Sequence, residues 1–495
     1  MILRDLLKDV DFVNPNNINL DVEIVDLATD SRLARSNYLF IARRGSKVDS
    51  HQFIDELAKN GVFCLGDKKR CVDIKNPYTI FVEDTGEVLS KIASNFYEYP
   101  SYKFDVYGVT GTNGKTSITY LINAIAKEAG KKTGIIGTIS TKIADKVLAS
   151  DYTTPESIYI QKDLSEMNKA GVDICAMEVS SIGLEQKRSE LIDFSVAIFT
   201  NFTQDHLDYH GSMEKYFQAK RILFEQIARE NKRGQQNFAI LNIEDEKSQE
   251  FAKVTKAETI FYGYSEEADY RAINIKHTVH ATEYDLIIGE KTHHIKLPLI
   301  GNFNVLNSLA AIAACHKKGI DMTTIVRAME HVEAIPGRLE RTSAEDEDHN
   351  TVFVDYAHTP DSIEKACETI NDIKIGKLIT IVGCGGDRDK SKRPKMAKIA
   401  CQKSDLAIFT ADNPRTENQN NIFSDMLRDL GEDNYKVIPN RKAAIEEAIM
   451  LADEDDSILI CGKGHEDYQI IGTKKYHFDD REISRHYLKE RRFHK

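Results

Sequence analysis

The chain has 495 residues, 41% of them hydrophobic, which corresponds to about three globular domains, each able to bury a core. Its formal net charge of −12 argues against a broad nucleic-acid-binding surface but allows an anionic small molecule held by local cations. No apolar run reaches the length of a membrane span, and the acid-containing N-terminus does not resemble a signal peptide. We therefore expect a cytoplasmic protein without a membrane span.

The cysteines and the hydrophobic pattern indicate a reduced α/β protein. The eight cysteines are scattered and include no CxxC pair, which favours buried thiols over a disulfide framework or a zinc site. Short β-branched runs alternate with helical patterns, as in doubly wound layers around parallel sheets. The predicted strands are "YLFIA" (38–42), "VYGVT" (106–110), "ICAME" (174–178), "VAIFT" (196–200), "FAILN" (238–242), "TVFVD" (351–355), "LITIVG" (378–383), "LAIFT" (406–410) and "SILICG" (457–462).

Two shifts in composition suggest domain boundaries. A proline-bearing aromatic stretch, "FYEYPSYKF", occupies 96–104, and a Pro-Gly pair opens the polar and acidic segment 332–350. These shifts predict three domains, which span 1–98, 99–334 and 335–495.

The first chemical motif is "GVTGTNGKT", which lies between an apolar strand and a helical pattern. Gly111 and Gly114 let the backbone approach phosphate oxygens, and the amides of the following helix point toward the anion. Lys115 is suited to the β- and γ-phosphates, and the Thr116 hydroxyl is suited to Mg²⁺. The strict phosphate-loop pattern has glycine where this chain has Val109, but the strand–loop–helix context still predicts a nucleotide site.

Polar residues follow the next two predicted strands. Glu178 ends one strand, where a carboxylate would lie near the phosphate loop and suit Mg²⁺, although a solvated acid is an equal alternative. The segment 201–211, "NFTQDHLDYHG", then clusters acids and histidines, of which His206 is a candidate ligand or phosphate contact. Lys220 lies in a helical pattern, and on local grounds it is an ordinary solvated lysine.

The last third of the chain places a cation and an anion after neighbouring strands. Arg415 is able to grip a carboxylate with two hydrogen bonds, and Glu466 is able to accept from an ammonium group. Such a pair suits a zwitterionic amino acid, and a surface ion pair is the alternative.

Eleven motifs in this order resemble the Mur ligase family, and in particular its members that extend UDP-MurNAc-L-Ala-D-Glu by one amino acid. They are "DSRLARSNYLFIA" (30–42), "GVTGTNGKTS" (108–117), "DYTTPES" (151–157), "MEVSSIGLEQKR" (177–188), "TNFTQDHLDYHGSMEKYFQAK" (200–220), "LIGNFNVLNSLAA" (299–311), "PGRLE" (336–340), "VDYAHTPDS" (354–362), "GCGGDRDKSKRPKM" (383–396), "ADNPR" (411–415) and "GKGHEDYQ" (462–469).

The resemblance implies a smaller N-terminal α/β domain that binds UDP, a central ATPase built on a parallel-type sheet, and a C-terminal Rossmann-like domain that binds the amino acid. Matching positions imply UDP-MurNAc-dipeptide contacts at Thr29, Ser31, Ser46, Thr153, Thr154, Ser180, Gln186 and Arg188. They imply ATP contacts at Gly111, Thr112, Asn113, Gly114, Lys115, Thr116, Ser117, Asn302, Asn307, Arg338 and Asp355. They imply amino-acid contacts at Arg388, Asp412, Asn413, Pro414, Arg415, Gly462 and Glu466.

The resemblance also changes the interpretation of Lys220, because the matching lysine of the family is carbamylated and binds Mg²⁺. The implied magnesium ligands are then Thr116, Glu178, His206 and the Lys220 carbamate. The implied catalytic residues are Lys115, Glu178, His206 and Lys220. An unmodified ammonium would repel the metal ions, which agrees with the modification.

The implied reaction is ATP-driven amide formation through an acyl phosphate, by a monomer whose C-terminal domain closes about the segment 332–350. The sequence "DNPR" at 412–415 resembles the form found in members that add meso-diaminopimelate, since an arginine there would hold the distal carboxylate. L-lysine and meso-lanthionine remain alternatives, as does a folate-polyglutamate ligase, which would lack the N-terminal uridine block. A nucleotide-binding scaffold without turnover is the alternative from another class.

Overall fold

The computed structural model describes residues 1–45, 48–71, 74–229, 231–278, 280–343 and 351–494, which form three consecutive α/β units. Ser46, one of the predicted UDP-MurNAc-dipeptide contacts, lies outside these ranges, as does the stretch 344–350 of the expected hinge.

The N-terminal unit is a parallel sheet in the strand order β1-β2-β3-β4. Its strands are β1 (Asp26–Ala28), β2 (Tyr38–Ile41), β3 (Phe63–Asp67) and β4 (Thr79–Val82), and its helices are α1 (Leu3–Leu6), α2 (Ile54–Lys59) and α3 (Thr85–Phe96). The side chain of Asp84 caps α3 by accepting from the Gly86 amide, and the apolar face of this helix packs into the core of the unit.

The central unit is built on a sheet in the order β15-β14-β13-β12-β11-β10-β5-β9-β6-β7-β8. Its strands are β5 (Asp105–Thr110), β6 (Thr133–Ile136), β7 (Ser140–Ile143), β8 (Lys146–Ala149), β9 (Ile174–Glu178), β10 (Val196–Phe199), β11 (Phe238–Asn242), β12 (Glu258–Gly263), β13 (Tyr270–His277), β14 (Thr282–Ile288) and β15 (Lys291–Leu297). Its helices are α4 (Lys115–Glu128), α5 (Ser157–Lys169), α6 (Ser181–Glu185), α7 (Leu207–His210), α8 (Met213–Gln226), α9 (Ser248–Val254), α10 (Asn302–Lys317) and α11 (Met322–Glu330).

The C-terminal unit is a sheet in the order β16-β17-β21-β18-β19-β20, followed by a separate hairpin of β22 and β23. Its strands are β16 (Glu340–Arg341), β17 (Thr351–Asp355), β18 (Leu378–Cys384), β19 (Leu406–Ala411), β20 (Tyr435–Val437), β21 (Ser457–Cys461), β22 (Tyr468–Ile471) and β23 (Lys474–His477). Its helices are α12 (Pro360–Asn371), α13 (Arg393–Lys403), α14 (Gln419–Met426), α15 (Arg441–Leu451) and α16 (Asp480–His494).

The predicted α/β class is confirmed, and each predicted strand is a strand of the structure. The edges of the central sheet differ from the parallel pattern, because β6 to β8 and β13 to β15 pair antiparallel. Along β13 and β14 buried positions alternate with more exposed ones, so these strands lack the continuous apolar runs that marked the inner strands. The exact domain boundaries stay a prediction.

The cysteines and the helices of the described part of the chain bear on the expectations from composition. All eight cysteines lie in the described ranges, and each is buried and free. Within those ranges, no helix is both long enough and apolar enough to cross a membrane.

Candidate active site

The phosphate loop connects β5 to α4 at the centre of the largest sheet, and its two inner glycines are required by close contacts. Gly111 has φ 145°, and a Cβ there would lie 1.8 Å from the Thr200 hydroxyl oxygen. Gly114 has φ 90°, and a Cβ there would lie 2.5 Å from the Asn307 side-chain oxygen. Neither position accommodates a side chain, so the loop backbone is left open for phosphate.

Two predicted catalytic lysines converge on one carbonyl oxygen of this loop. The Lys115 ammonium donates to the Gly111 and Thr112 carbonyls at 3.0 and 2.8 Å, and the Lys220 ammonium donates to the Gly111 carbonyl at 2.8 Å. Lys220 is only 1% exposed on α8, which overturns the interpretation of a solvated lysine. Burial lowers the pKa of both ammonium groups, and that of Lys220 falls well below its ordinary value because Lys115 adds charge repulsion.

Glu178 ends β9 beside the first turn of α4, and it is 1% exposed rather than solvated. Its carboxylate accepts from the Thr116 hydroxyl at 3.1 Å, from the Thr138 amide at 2.8 Å and from the Thr138 hydroxyl at 3.0 Å. A carboxylate and a hydroxyl are hard oxygen donors of the kind that Mg²⁺ prefers, so the donor set fits this ion.

His206 belongs to a second charged cluster, which is centred on the buried carboxylate of Asp205. The nearest nitrogens of His206, His358 and Lys392 lie 3.4, 3.9 and 3.9 Å from that carboxylate. Burial would raise the pKa of Asp205, but these neighbours together hold it well below its usual value. His358 and Lys392 belong to the C-terminal unit, so the cluster joins that unit to the central one.

The four predicted magnesium ligands fall into two groups around Lys115. Thr116 is hydrogen-bonded to Glu178, while His206 and Lys220 lie on the side of Asp205. Among the described residues, no group of three or more His, Cys, Asp or Glu side chains is arranged to hold a metal ion. The magnesium assignment therefore stays a prediction, supported by the oxygen donors at Thr116 and Glu178.

A cavity of about 650 Å³ opens beside the phosphate loop, between the central and C-terminal units. Arg338 crosses between these units and donates to the Thr116 hydroxyl at 2.9 Å, with its guanidinium over the Tyr356 ring. Asp355 accepts from the Leu339 and Ala357 amides, and burial raises the pKa of its carboxyl. The predicted ATP contacts that line this cavity are Asn113, Gly114, Ser117, Asn302, Asn307, Arg338 and Asp355.

Four of the eight predicted UDP-MurNAc-dipeptide contacts form a hydrogen-bonded path from Glu178. The Thr154 hydroxyl donates to the Glu178 carbonyl at 3.0 Å and accepts from the Ser180 amide at 2.9 Å. Arg188 donates to the Thr154 carbonyl at 2.6 Å and to the Gln186 side chain at 2.7 Å.

Three further predicted contacts lie in the described ranges, namely Thr153, Thr29 and Ser31. The Thr153 and Thr138 hydroxyls are 3.0 Å apart, which connects Thr153 to the Glu178 carboxylate. Thr29 of the N-terminal unit donates to Glu156 of the central unit at 3.0 Å, and Ser31 lies half-buried two residues further on. The hydrogen bond from Thr29 to Glu156 therefore joins the N-terminal unit to the central unit.

A second cavity, of about 420 Å³, lies beyond the ends of β18, β19 and β21. Its lining includes both members of the second charged cluster from the central unit, His206 and Asp205, together with His358. The predicted amino-acid contacts along it are Arg388, Asp412, Asn413, Arg415, Gly462 and Glu466. Pro414 contributes differently, since its carbonyl packs against Gly386 behind the cavity wall.

Arg415 and Glu466 do not form the surface ion pair that was the alternative interpretation. The Arg415 guanidinium donates to the Gly386 carbonyl at 2.9 Å, whereas Glu466 pairs with the fully buried Lys463 at 2.8 Å and with Asn413 at 2.9 Å. Burial lowers the pKa of Arg415 and raises that of Glu466. A partly desolvated cation and anion thus face one cavity, as recognition of a zwitterion requires.

Several residues of the two cavities were not predicted from the sequence. Tyr356 and His358 line both cavities, so the connection from β17 to α12 is where they meet. Tyr262 and Tyr264 line the first cavity at the end of β12, and Lys463 supports Glu466 in the second. The spacing of Lys463 from Glu466 was a usable signal. Tyr262 and Tyr264 lie at the end of β12, a strand that the apolar pattern did not reveal.

Comparison with known proteins gives consistent matches over nearly the whole chain. Residues 109–315 match the Mur ligase middle domain and residues 337–464 match the family described as Mur ligase, glutamate ligase domain. A UDP-N-acetylmuramoyl-L-alanyl-D-glutamate–2,6-diaminopimelate ligase of Geobacillus thermodenitrificans is 43% identical, covering 95% of this chain and 96% of its own. The ligase 1 of the same name from Clostridium acetobutylicum is 41% identical with the same coverage. A solved structure of a ligase of that name has a TM-score of 0.69 at 27% identity and covers 99% of both chains.

The substitution Gly111→Ala should abolish nucleotide binding, because the new Cβ would collide with Thr200 in a backbone conformation that favours glycine. Titration with a fluorescent ATP analogue measures the effect. Gly130→Ala is the matched control, since Gly130 also has positive φ, 69°, but nothing lies within 4 Å of the added carbon. Equal nucleotide affinity in the Gly111→Ala variant and the unsubstituted chain would contradict the assignment.

Proposed function

This chain belongs to the Mur ligase family, and from that premise we propose that it is an ATP-dependent ligase of peptidoglycan precursor synthesis. In this proposal it joins meso-2,6-diaminopimelate to the D-Glu γ-carboxylate of UDP-MurNAc-L-Ala-D-Glu. The observation that carries the proposal is the meeting of two cavities at Tyr356 and His358, one beside the phosphate loop and one between Arg415 and Glu466. Relatives that are 41 and 43% identical are named for this reaction.

The proposed reaction has two steps. The γ-carboxylate first attacks the γ-phosphorus of ATP, which breaks the bond to ADP and forms an acyl phosphate. The amine of the incoming amino acid then attacks the acyl carbon, the amide bond forms, and inorganic phosphate leaves as the amine loses a proton. Lys115 and Arg338 offset the negative charge that develops on the phosphoryl oxygens, because both cations lie at the phosphate loop.

The oxygen donors of Thr116 and Glu178 fit Mg²⁺, and in our proposal Thr116, Glu178, His206 and the modified Lys220 would hold magnesium ions at two neighbouring positions. When bound, each ion would neutralise phosphate charge and act as a Lewis acid. The environment of Lys220 favours carbamylation of its amine. Its side chain is buried beside Lys115, and burial together with the charge of Lys115 holds its pKa well below the usual value, which favours the uncharged amine that reacts with CO₂. The product is an anion that would attract Lys115 instead of repelling it.

An acyl phosphate must be kept from water, and contacts between the units serve this need in the proposal. Asn113 of the phosphate loop donates to Asp361 of α12 at 3.0 Å, and Arg338 reaches Thr116 from the C-terminal side. These contacts hold the C-terminal unit over the place where the intermediate would form.

The amino-acid site favours a substrate with a second carboxylate. In this proposal Arg415 binds the distal carboxylate and Glu466 binds an ammonium group, with Lys463 balancing the charge of Glu466. Lysine has no distal carboxylate for Arg415, so diaminopimelate is preferred. Meso-lanthionine offers the same charges as diaminopimelate and remains an alternative. The N-terminal unit and its Thr29–Glu156 contact argue against a folate-polyglutamate ligase, which would lack that block.

A phosphate-release assay tests the function directly. We expect ATP hydrolysis to depend on both UDP-MurNAc-dipeptide and diaminopimelate, and to be lost in Lys115→Met, which removes the loop cation. The proposal would be contradicted if a folate-type substrate replaced the dipeptide in this assay. It would also be contradicted if the protein bound ATP but released no phosphate with any of the amino acids. The latter result would favour the scaffold without turnover.

Arg415→Ala should raise KM for diaminopimelate by about a hundredfold, because a charge-assisted contact to a carboxylate contributes on the order of 2–3 kcal/mol. KM for ATP should stay within about twofold of the original value, since Arg415 lies in the other cavity. Arg428→Ala is the matched control, an exposed arginine of the same unit that pairs with Asp425. Unchanged diaminopimelate kinetics in Arg415→Ala would refute this specificity assignment.

Carbamylation of Lys220 is tested by equilibrating the protein with isotopically labelled bicarbonate and recording a carbon NMR spectrum. We expect one carbamate signal in the unsubstituted chain and none in Lys220→Arg, which should also lose turnover. Lys215→Arg on the exposed face of α8 is the control and should keep the signal. A signal that persists in Lys220→Arg would place the modification elsewhere.

A further inference from the structure

A fully buried ion pair lies behind the second cavity, and none of the motifs includes its members. Arg441 is the first residue of α15 and Asp480 is the first residue of α16, and both side chains are 0% exposed. The guanidinium donates twice to the carboxylate, through Nε at 2.8 Å and through Nη2 at 2.7 Å. This two-point contact fixes the orientation of the guanidinium plane.

The remaining donors of Arg441 are directed at the last residues of two strands. Nη2 donates to the Cys461 carbonyl at 2.8 Å, and Nη1 donates to the Ala411 carbonyl at 3.3 Å. Cys461 ends β21 and Ala411 ends β19, and β18 lies between these strands in the sheet. One side chain therefore connects the ends of two strands that do not pair with each other.

Each of these carbonyls immediately precedes a loop of the amino-acid site. Asp412 follows Ala411 and leads to Arg415, while Gly462 follows Cys461 and leads to Glu466. Further along, the loops are joined again by the hydrogen bond from Asn413 to Glu466. Arg441 therefore links the bases of the two loops that carry Arg415 and Glu466.

We propose that Arg441, oriented by Asp480, is a positioning residue that sets the spacing between Arg415 and Glu466. The inference rests on the proposed function, because it assigns these two residues to amino-acid binding. A buried ion pair is often no more stabilising than apolar side chains of similar volume. The contribution of this pair is therefore to the geometry of the two loops.

The main test compares kinetic constants in the double variant Arg441→Met/Asp480→Leu, which removes both charges and leaves neither unpaired. We expect KM for diaminopimelate to rise at least about tenfold, since displacing a binding group by about 1 Å is costly. KM for ATP and for UDP-MurNAc-dipeptide should change less than about twofold, because their predicted contacts lie outside these two loops. An unchanged KM for diaminopimelate, or a parallel rise in all three constants, would overturn the inference.

Two further variants keep the test decisive. Arg441→Lys retains the charge but lacks the fork that reaches two carbonyls and a carboxylate, so KM for diaminopimelate should be intermediate. If the double variant does not fold, an unchanged KM in Arg441→Lys overturns the inference. Arg491→Met is the matched control, because Arg491 of α16 is buried and donates to the Ile449 and Ala452 carbonyls near the other end of α15. This control should leave KM for diaminopimelate unchanged.

The assay with different amino acids tests the proposed substrate independently of the role of Arg441. A wild-type protein that responds to L-lysine and not to diaminopimelate would refute the proposed substrate. The same comparison of KM values, made with L-lysine, would then still decide whether Arg441 positions the loops.

Discussion

The site is organised around the carbonyl oxygen of Gly111, which accepts hydrogen bonds from two lysine ammonium groups, one of them fully buried. Two cations at one carbonyl repel each other unless one is neutral, modified or faced by anions. The surrounding residues meet this requirement from both sides. Glu178 lies on the side of Thr116, and Asp205 lies toward the C-terminal unit. Glu178 ends β9 and Asp205 lies in the segment after β10, and these are the two strands that flank β5 in the sheet.

Charged and polar side chains also make the contacts between the central and C-terminal units. Asp205 is surrounded by His206, His358 and Lys392, and the last two come from the C-terminal unit. Polar contacts of this kind are typical of interfaces between domains that move relative to each other. The two cavities meet beneath these contacts at Tyr356 and His358, where a reactive intermediate would be shielded from water.

In the second cavity, the proposed amino-acid site, the arrangement of charges is also specific. Arg415 and Glu466 are held apart, because Glu466 is already paired with Lys463 and Arg415 donates to a backbone carbonyl. Because Arg415 and Glu466 do not pair with each other, each is able to face a different end of a zwitterionic ligand. The backbone of Arg415 is also held by the β22–β23 hairpin, which accepts from its amide at Ile470. Geometry at this site therefore depends on loops that are fixed at several points.

The sequence by itself determined the α/β class, the inner strands and the phosphate loop, because continuous apolar runs and glycine spacing are local signals. It also indicated Glu178 and Glu466 as strand-end acids, while solvated alternatives stayed open. Tertiary structure decided between those alternatives. Lys220 is buried and donates to the Gly111 carbonyl, and Arg441 donates to carbonyls at the ends of two strands. Each of these contacts joins residues far apart in the sequence. Burial and charge proximity depend on how the layers pack, and no periodicity along the chain encodes them.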